Sequence, residues 1–226
     1  MLNKNSFVYS AIINLQQKEC VVVGGGRVAE RKLKGLIAAG AEVKLIAPEC
    51  SKQVEELVQK YAFTYVQDVY KKDYVTKAFL VIAATYDKAV NRQICLDAPC
   101  LCNNIMEPHL GNFIIPAAFT KGDITVAVAT GGVPAFSRLL KERLQVLVTP
   151  EVAGFNSFLM SVREQVKAIP STSAARTNFW RQVLTTEIME MVATGEVAMA
   201  KEKVLDAISS FRAQSQNSTG SSTGEV

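Results

Sequence analysis

The chain has 226 residues, of which 49% are hydrophobic and 20% charged, with a formal net charge of +4. This is enough for one or two domains with a real core, and it excludes a wholly disordered chain, a coiled coil and a collagen-like fibre. No uncharged apolar run approaches ~18 residues, so no transmembrane helix and no membrane partner are expected. Met1 to Ser10 lacks the basic-then-apolar layout of a signal peptide. An odd set of cysteines, Cys20, Cys50, Cys95, Cys100 and Cys102, reads as reduced and cytoplasmic. The sole histidine, His109, excludes a histidine-rich metal site. Residues 1–150 carry a balance of +5 and residues 151–226 a balance of −1. The surplus is dispersed, with no basic stripe interleaved with aromatics, so no nucleic acid is expected. An anionic small molecule, or merely a solvated surface, accounts for it.

In chain order, Ala11 to Leu15 alternates weakly and meets a turn at Gln16 to Lys18. Cys20 to Val23 is a short, wholly apolar run bounded by glycines, the pattern of a buried parallel strand. Ala29, Leu33, Leu36 and Ile37 share one helix face, closed by Gly40. Val43 to Ile46 is the next strand, stopped by Pro48. Ser51 is placed to cap a helix carrying Val54, Leu57, Val58 and Tyr61 on one face. Phe63 to Val66 and Phe79 to Ala84 are further strands, the latter apolar enough for the sheet centre; Lys88 to Asp97 reads as helix and Leu101-Cys102 as strand. Strands alternating with helices at this spacing mean βαβ units and a parallel sheet.

The pattern then changes. Asn112 to Pro116 and Ile124 to Val128 read as extended segments around the turn residues Thr120 to Asp123. Pro134 suits the first turn of a helix reaching about Val148. Helices are expected over Val152 to Ala168, Thr177 to Val192 and Glu196 to Phe211, the last with Ala198, Leu205 and Ile208 toward the core. The Ser/Thr/Gly/Asn-rich end reads as disordered.

Val21 to Ala29 places G-x-G-x-x-A between a strand and a helix. Gly24 permits the tight turn, Gly26 lets backbone approach a pyrophosphate, and Ala29 allows close helix–strand packing. The helix N-terminus then offers free N–H groups to the phosphates. This points to a dinucleotide, with a structural turn as the plainer alternative. Glu49 follows the second strand near the ~20-residue spacing of a ribose-binding carboxylate, and no arginine stands there for a 2′-phosphate, which favours NAD over NADP. A solvated loop carboxylate is the other reading of Glu49.

The run CVVVGGGRVAERK at 20–32, with AAGA at 38–41 and IAP at 46–48, resembles the bifunctional siroheme synthase family of precorrin-2 dehydrogenases and sirohydrochlorin ferrochelatases. The resemblance continues through VIAAT at 81–85, Asn91-Arg92, Cys102-Asn103, NFIIP at 112–116, TVAV at 125–128, TGG at 130–132 and RLLKERL at 138–144. It implies an α/β chain with a Rossmann-like parallel-sheet NAD-binding domain over 1–115. A β-containing dimerisation segment over 116–150 and a small all-helical domain over 151–212 would follow, with 213–226 as a disordered tail. The implied reaction is oxidation of precorrin-2 to sirohydrochlorin with NAD as hydride acceptor in siroheme biosynthesis, by a homodimer. The implied cofactor contacts are Gly24, Gly25, Gly26, Arg27, Val28, Pro48, Glu49, Thr85 and Asn103.

Met106 stands where the family carries an aspartate linked to both of its activities. A thioether neither takes a proton nor binds iron as a carboxylate does, so ferrochelatase activity is in doubt and no metal ligand is assigned. Glu107 and His109 are the nearby candidates for acid–base work, or else a solvated loop. Thr130 stands near a family serine in a loop one residue shorter. Arg138, Lys141 and Arg143 could meet the carboxylates of a tetrapyrrole substrate or form a solvated helix face. A non-catalytic NAD- or tetrapyrrole-binding protein on the same scaffold is the alternative function.

Overall fold

A computed structural model describes residues 9–220, the side chains of 217–220 excepted. The chain divides between Ile115 and Pro116 into two compact units.

The first unit alternates β1 (Glu19–Val23), α1 (Arg27–Ala38), β2 (Glu42–Ile46), α2 (Lys52–Tyr61), β3 (Thr64–Val66), β4 (Leu80–Ala83), α3 (Lys88–Asp97) and β5 (Leu101–Asn104). The five strands form one parallel sheet in the order β3-β2-β1-β4-β5. The apolar β4 is an interior strand, and β1 lies at the centre. Period-two alternation splits the core into two layers. Cys20, Val22, Leu45 and Ile82 pack with Leu33, Leu36, Val54 and Leu57 of α1 and α2. Val21, Val23, Ile46 and Val81 pack on the opposite face with Ile94 of α3 and Val75. Each fully buried aliphatic side chain contributes about 1.5–3 kcal/mol.

Ser51 occupies the N-cap position of α2, but its side chain makes no capping bond. Asn112 to Pro116 is not a strand. Pro116 lacks a ladder donor, and Asn112 instead caps the edge of β5. Its backbone N–H donates to the Cys102 carbonyl, its Oδ1 accepts from the Cys102 N–H at 2.8 Å, and its Nδ2 donates to the Cys100 carbonyl at 3.0 Å. One residue thus supplies the partners a further strand would have given an exposed edge.

In the second unit β6 (Ala117–Lys121) and β7 (Ile124–Val128) form an antiparallel hairpin, followed by α4 (Pro134–Leu147). Four helices follow: α5 (Pro150–Lys167), α6 (Ser173–Val183), α7 (Thr186–Ala193) and α8 (Val197–Gly220). Thr149, Thr172 and Thr185 cap α5, α6 and α7 through their hydroxyls. The single helix expected over Thr177 to Val192 is therefore two. Thr185 leaves the helical region and accepts from the Ile188 N–H, which ends one helix and starts the next.

The helical core gathers Phe155, Val162, Val166, Phe179, Ile188 and Val192. The buried face of α8 is Ala200, Val204 and Ile208 rather than Ala198 and Leu205, which are exposed. The i, i+4, i+8 row is the one that packs with α5, α6 and α7. The helix also runs to Gly220, through the start of the stretch expected to be disordered; residues 221–226 of that stretch lie outside the described residues. Extending a formed helix adds one hydrogen bond per residue fixed, so fair helix formers such as Ala213 and Gln214 follow it. Within α4, by contrast, only Ser137 is buried; Phe136, Leu139, Val146 and Leu147 are exposed, as is Val133 at its N-cap.

Candidate functional site

The turn after β1 is held from both sides. The Gly24 N–H donates to the Ile46 carbonyl at 2.8 Å, and the Ser51 N–H donates to the Gly25 carbonyl at 2.9 Å. Gly24 sits at φ +117°, where an L side chain is strained, and a Cβ there would lie 2.3 Å from the Ala84 carbonyl oxygen. At Gly25 a Cβ would lie 2.2 Å from the Glu49 carbonyl oxygen. At Gly26 it would meet only the Tyr86 side chain, its hydroxyl at 2.5 Å, and that side chain is exposed and movable. Gly24 and Gly25 thus let two neighbouring loops close on the turn, and Gly26 leaves the N-terminus of α1 open. The first N–H groups of that helix have no intrahelical acceptor and point partial positive charge outward.

These loops enclose a cleft of about 530 Å³ at the carboxyl ends of β1, β2 and β4, the place where open parallel sheets bind ligands. Of the residues proposed for the cofactor, Gly24, Gly25, Gly26, Pro48, Glu49 and Thr85 line it. Arg27 and Val28 open α1 but face a separate depression with Glu30, Arg31 and Lys34. Asn103 is turned inward, 6% exposed, with its Nδ2 donating to the Phe113 carbonyl at 2.9 Å.

Among the described residues no lysine or arginine lines the cleft, whereas Glu49, Asp68 and Asp87 do. Asp68 is occupied by Lys71, Tyr74 and the Val69 N–H, and the Lys71 and Tyr74 bonds hold its carboxyl below the usual range. Asp87 caps α3 through the N–H groups of Ala89 and Val90. Glu49 is exposed.

Sequence reasoning missed two contributors. Asn91, fully buried, accepts from both the N–H and the hydroxyl of Thr85 at 3.1 and 2.8 Å, and donates to the Thr85 carbonyl at 3.0 Å. Tyr70 walls the cleft and donates to Asp97 at 3.0 Å. Asn91 was visible only as one letter of a family motif. Tyr70 follows β3 in a loop with no pattern of its own.

The two acid–base candidates lie outside the cleft lining. Glu107 accepts a fork from Arg92, with Nε to Oε2 at 2.7 Å and Nη2 to Oε1 at 2.5 Å. That fork holds its carboxyl below the usual carboxylate range. His109 is exposed in a short 3₁₀ turn over Pro108–Leu110, and Met106 is exposed beside it. Asn104 organises this loop, its Oδ1 accepting from the N–H groups of Met106 and Glu107.

Among the described residues no group of three His, Cys, Asp or Glu could hold a metal ion, and no helix is long and apolar enough to cross a membrane. The five cysteines are free; the Cys95 and Cys102 sulfurs lie 3.2 Å apart, and burial, then the Cys95 contact, push the Cys102 thiol up.

A family model described as "Putative NAD(P)-binding" matches residues 11–117, and one described as "Sirohaem synthase dimerisation region" matches residues 155–208, on the helices rather than on the hairpin. The siroheme synthase of Photobacterium profundum is 31% identical over 207 residues, 90% of this chain and 44% of that protein. That of Nitrosococcus oceani is 35% identical over 188 residues, 81% of this chain and 40% of that protein. A solved structure titled "SirC, precorrin-2 dehydrogenase" superposes with a TM-score of 0.69 at 24% identity, covering 87% of this chain and 100% of that one, and so shares the fold. The chain spans about two fifths of the length of the curated relatives it matches. Over that part, where the NAD(P)-binding and dimerisation-region models match it, the chain is similar to the siroheme synthases.

Proposed function

We propose that the chain is an NAD-dependent dehydrogenase that oxidises precorrin-2 to sirohydrochlorin in siroheme biosynthesis. The carrying observation is the cleft at the strand ends, closed by a glycine turn and the open N-terminus of α1. The shared fold with a precorrin-2 dehydrogenase over that protein's whole length supports it. Bound NAD supplies the hydride acceptor, and the protein's task is to place the substrate carbon against it. The N-terminus of α1 would hold the pyrophosphate, and Glu49 would accept from a ribose hydroxyl. A lining without lysine or arginine among the described residues, together with Glu49, disfavours the 2′-phosphate of NADP. Thr85, fixed by Asn91, holds the wall after β4.

The proton released with the hydride needs an acceptor. His109 is the freer candidate, because Glu107 is engaged by Arg92. Iron insertion is not part of the proposal, since Met106 offers no carboxylate. The reduced thiols suit a cytoplasmic setting. A homodimer pairing through the hairpin and α4, residues 116–150, would cover the apolar side chains exposed there.

The test is incubation of the full chain with precorrin-2 and NAD. Expected is stoichiometric formation of NADH and sirohydrochlorin. No turnover by folded, NAD-binding protein would refute the reading. Tight tetrapyrrole binding without chemistry would favour the second reading, a non-catalytic binder, to which Met106 gives specific support.

A further inference from the structure

We propose that Arg92 and Glu107 form a positioning pair that couples the loop after β5 to the wall of the dinucleotide cleft. Two consecutive residues of α3 hold two different loops. Asn91 grips Thr85, which lines the cleft, with three hydrogen bonds. Arg92, the next residue, grips Glu107 with a fork of two. The Glu107 side chain is 14% exposed, so the fork is shielded from water on the carboxylate side.

The loop has little other freedom. The Ile105 N–H donates to the Ala83 carbonyl, and those of Met106 and Glu107 donate to the fully buried Asn104. Displacement of the Thr85 wall by an entering dinucleotide therefore moves the first turn of α3, and Arg92 carries the movement to residues 105–110. Arg92 engages both carboxylate oxygens of Glu107, and Lys88 also acts on it. Both cations favour the ionised form that the fork requires, so Glu107 positions the loop and leaves the proton to another group.

The turnover arm of the test rests on the proposed dehydrogenase reading; the exchange arm rests only on its dinucleotide cleft, and NADH binding to the parent, checked first by fluorescence titration, separates a failure of that cleft from a failure of the coupling. Backbone hydrogen exchange of residues 105–110 is measured in the parent, Arg92→Lys and Glu107→Gln, with and without NADH. NADH slows loop exchange in the parent. In Glu107→Gln NADH still binds, but the protection falls at least several-fold, and Arg92→Lys, which keeps the charge and loses the fork, lies between. Full protection in Glu107→Gln, or no protection in the parent, would overturn the coupling. In turnover, Glu107→Gln lowers kcat and keeps the acidic limb of the kcat/KM profile; loss of that limb would make Glu107 a base and overturn the assignment. Absence of turnover in the parent counts against the dehydrogenase alone.

Discussion

Replacing Gly25 by alanine drives a methyl group to 2.2 Å from the Glu49 carbonyl oxygen and 2.9 Å from the Cys50 Cα. Both are backbone atoms, so no rotamer change relieves the clash, and the 47–51 loop must move away. Forced overpacking costs about 1–3 kcal/mol. Moving the loop also endangers the bonds from Gly24 to Ile46 and from Ser51 to Gly25, each worth about 1 kcal/mol. The expected loss is about 2–5 kcal/mol, a large share of the stability of a small domain. It is read by urea unfolding followed by circular dichroism, with NADH fluorescence titration for the cleft. Affinity falls with stability, because the displaced loop carries Glu49. Gly35→Ala in α1 is the control: its Cβ meets nothing within 4 Å, and alanine in a helix interior adds about 0.5–1 kcal/mol. If Gly25→Ala keeps the parent's midpoint and affinity, loop closure on Gly25 is not what shapes the cleft.

Lys32 in α1 is pushed down from 10.5 to about 8 by burial, with Arg31 adding to it. Because its folded value lies below its unfolded one, the penalty is present below pH 8 and is relieved as pH rises from about 8 to 10.5. Full burial would make this roughly 3 kcal/mol, and partial exposure reduces it to about 1–2 kcal/mol. Lys32→Met is therefore more stable than the parent at pH 7 by urea midpoint, with the gap closing near pH 10.5; a gap independent of pH would refute this. Phe136→Asp, at an exposed apolar position of α4, converts the proposed dimer to monomer by light scattering. A dimer that survives it pairs elsewhere, for which the helices at 155–208 are the first place to look.

Local pattern carried much of the architecture. Apolar runs such as Cys20 to Val23 and Leu80 to Ala83 can be satisfied only by burial on both faces, so they announced parallel strands. The glycine turn between strand and helix announced the cleft, since its backbone conformation is a property of consecutive residues. Pairings across sequence distance were not legible. Nothing local says that Arg92 meets Glu107, that Asn91 holds Thr85, or that Asn103 turns inward to Phe113. The same limit explains α8, where periodicity offered two faces and only packing against α5, α6 and α7 selected Ala200, Val204 and Ile208. The sequence by itself determined the elements, because periodicity and turn chemistry act within a few residues. Tertiary structure decided which loops close on the glycine turn and which side chains are held by partners, because those are set by the order of strands in the sheet.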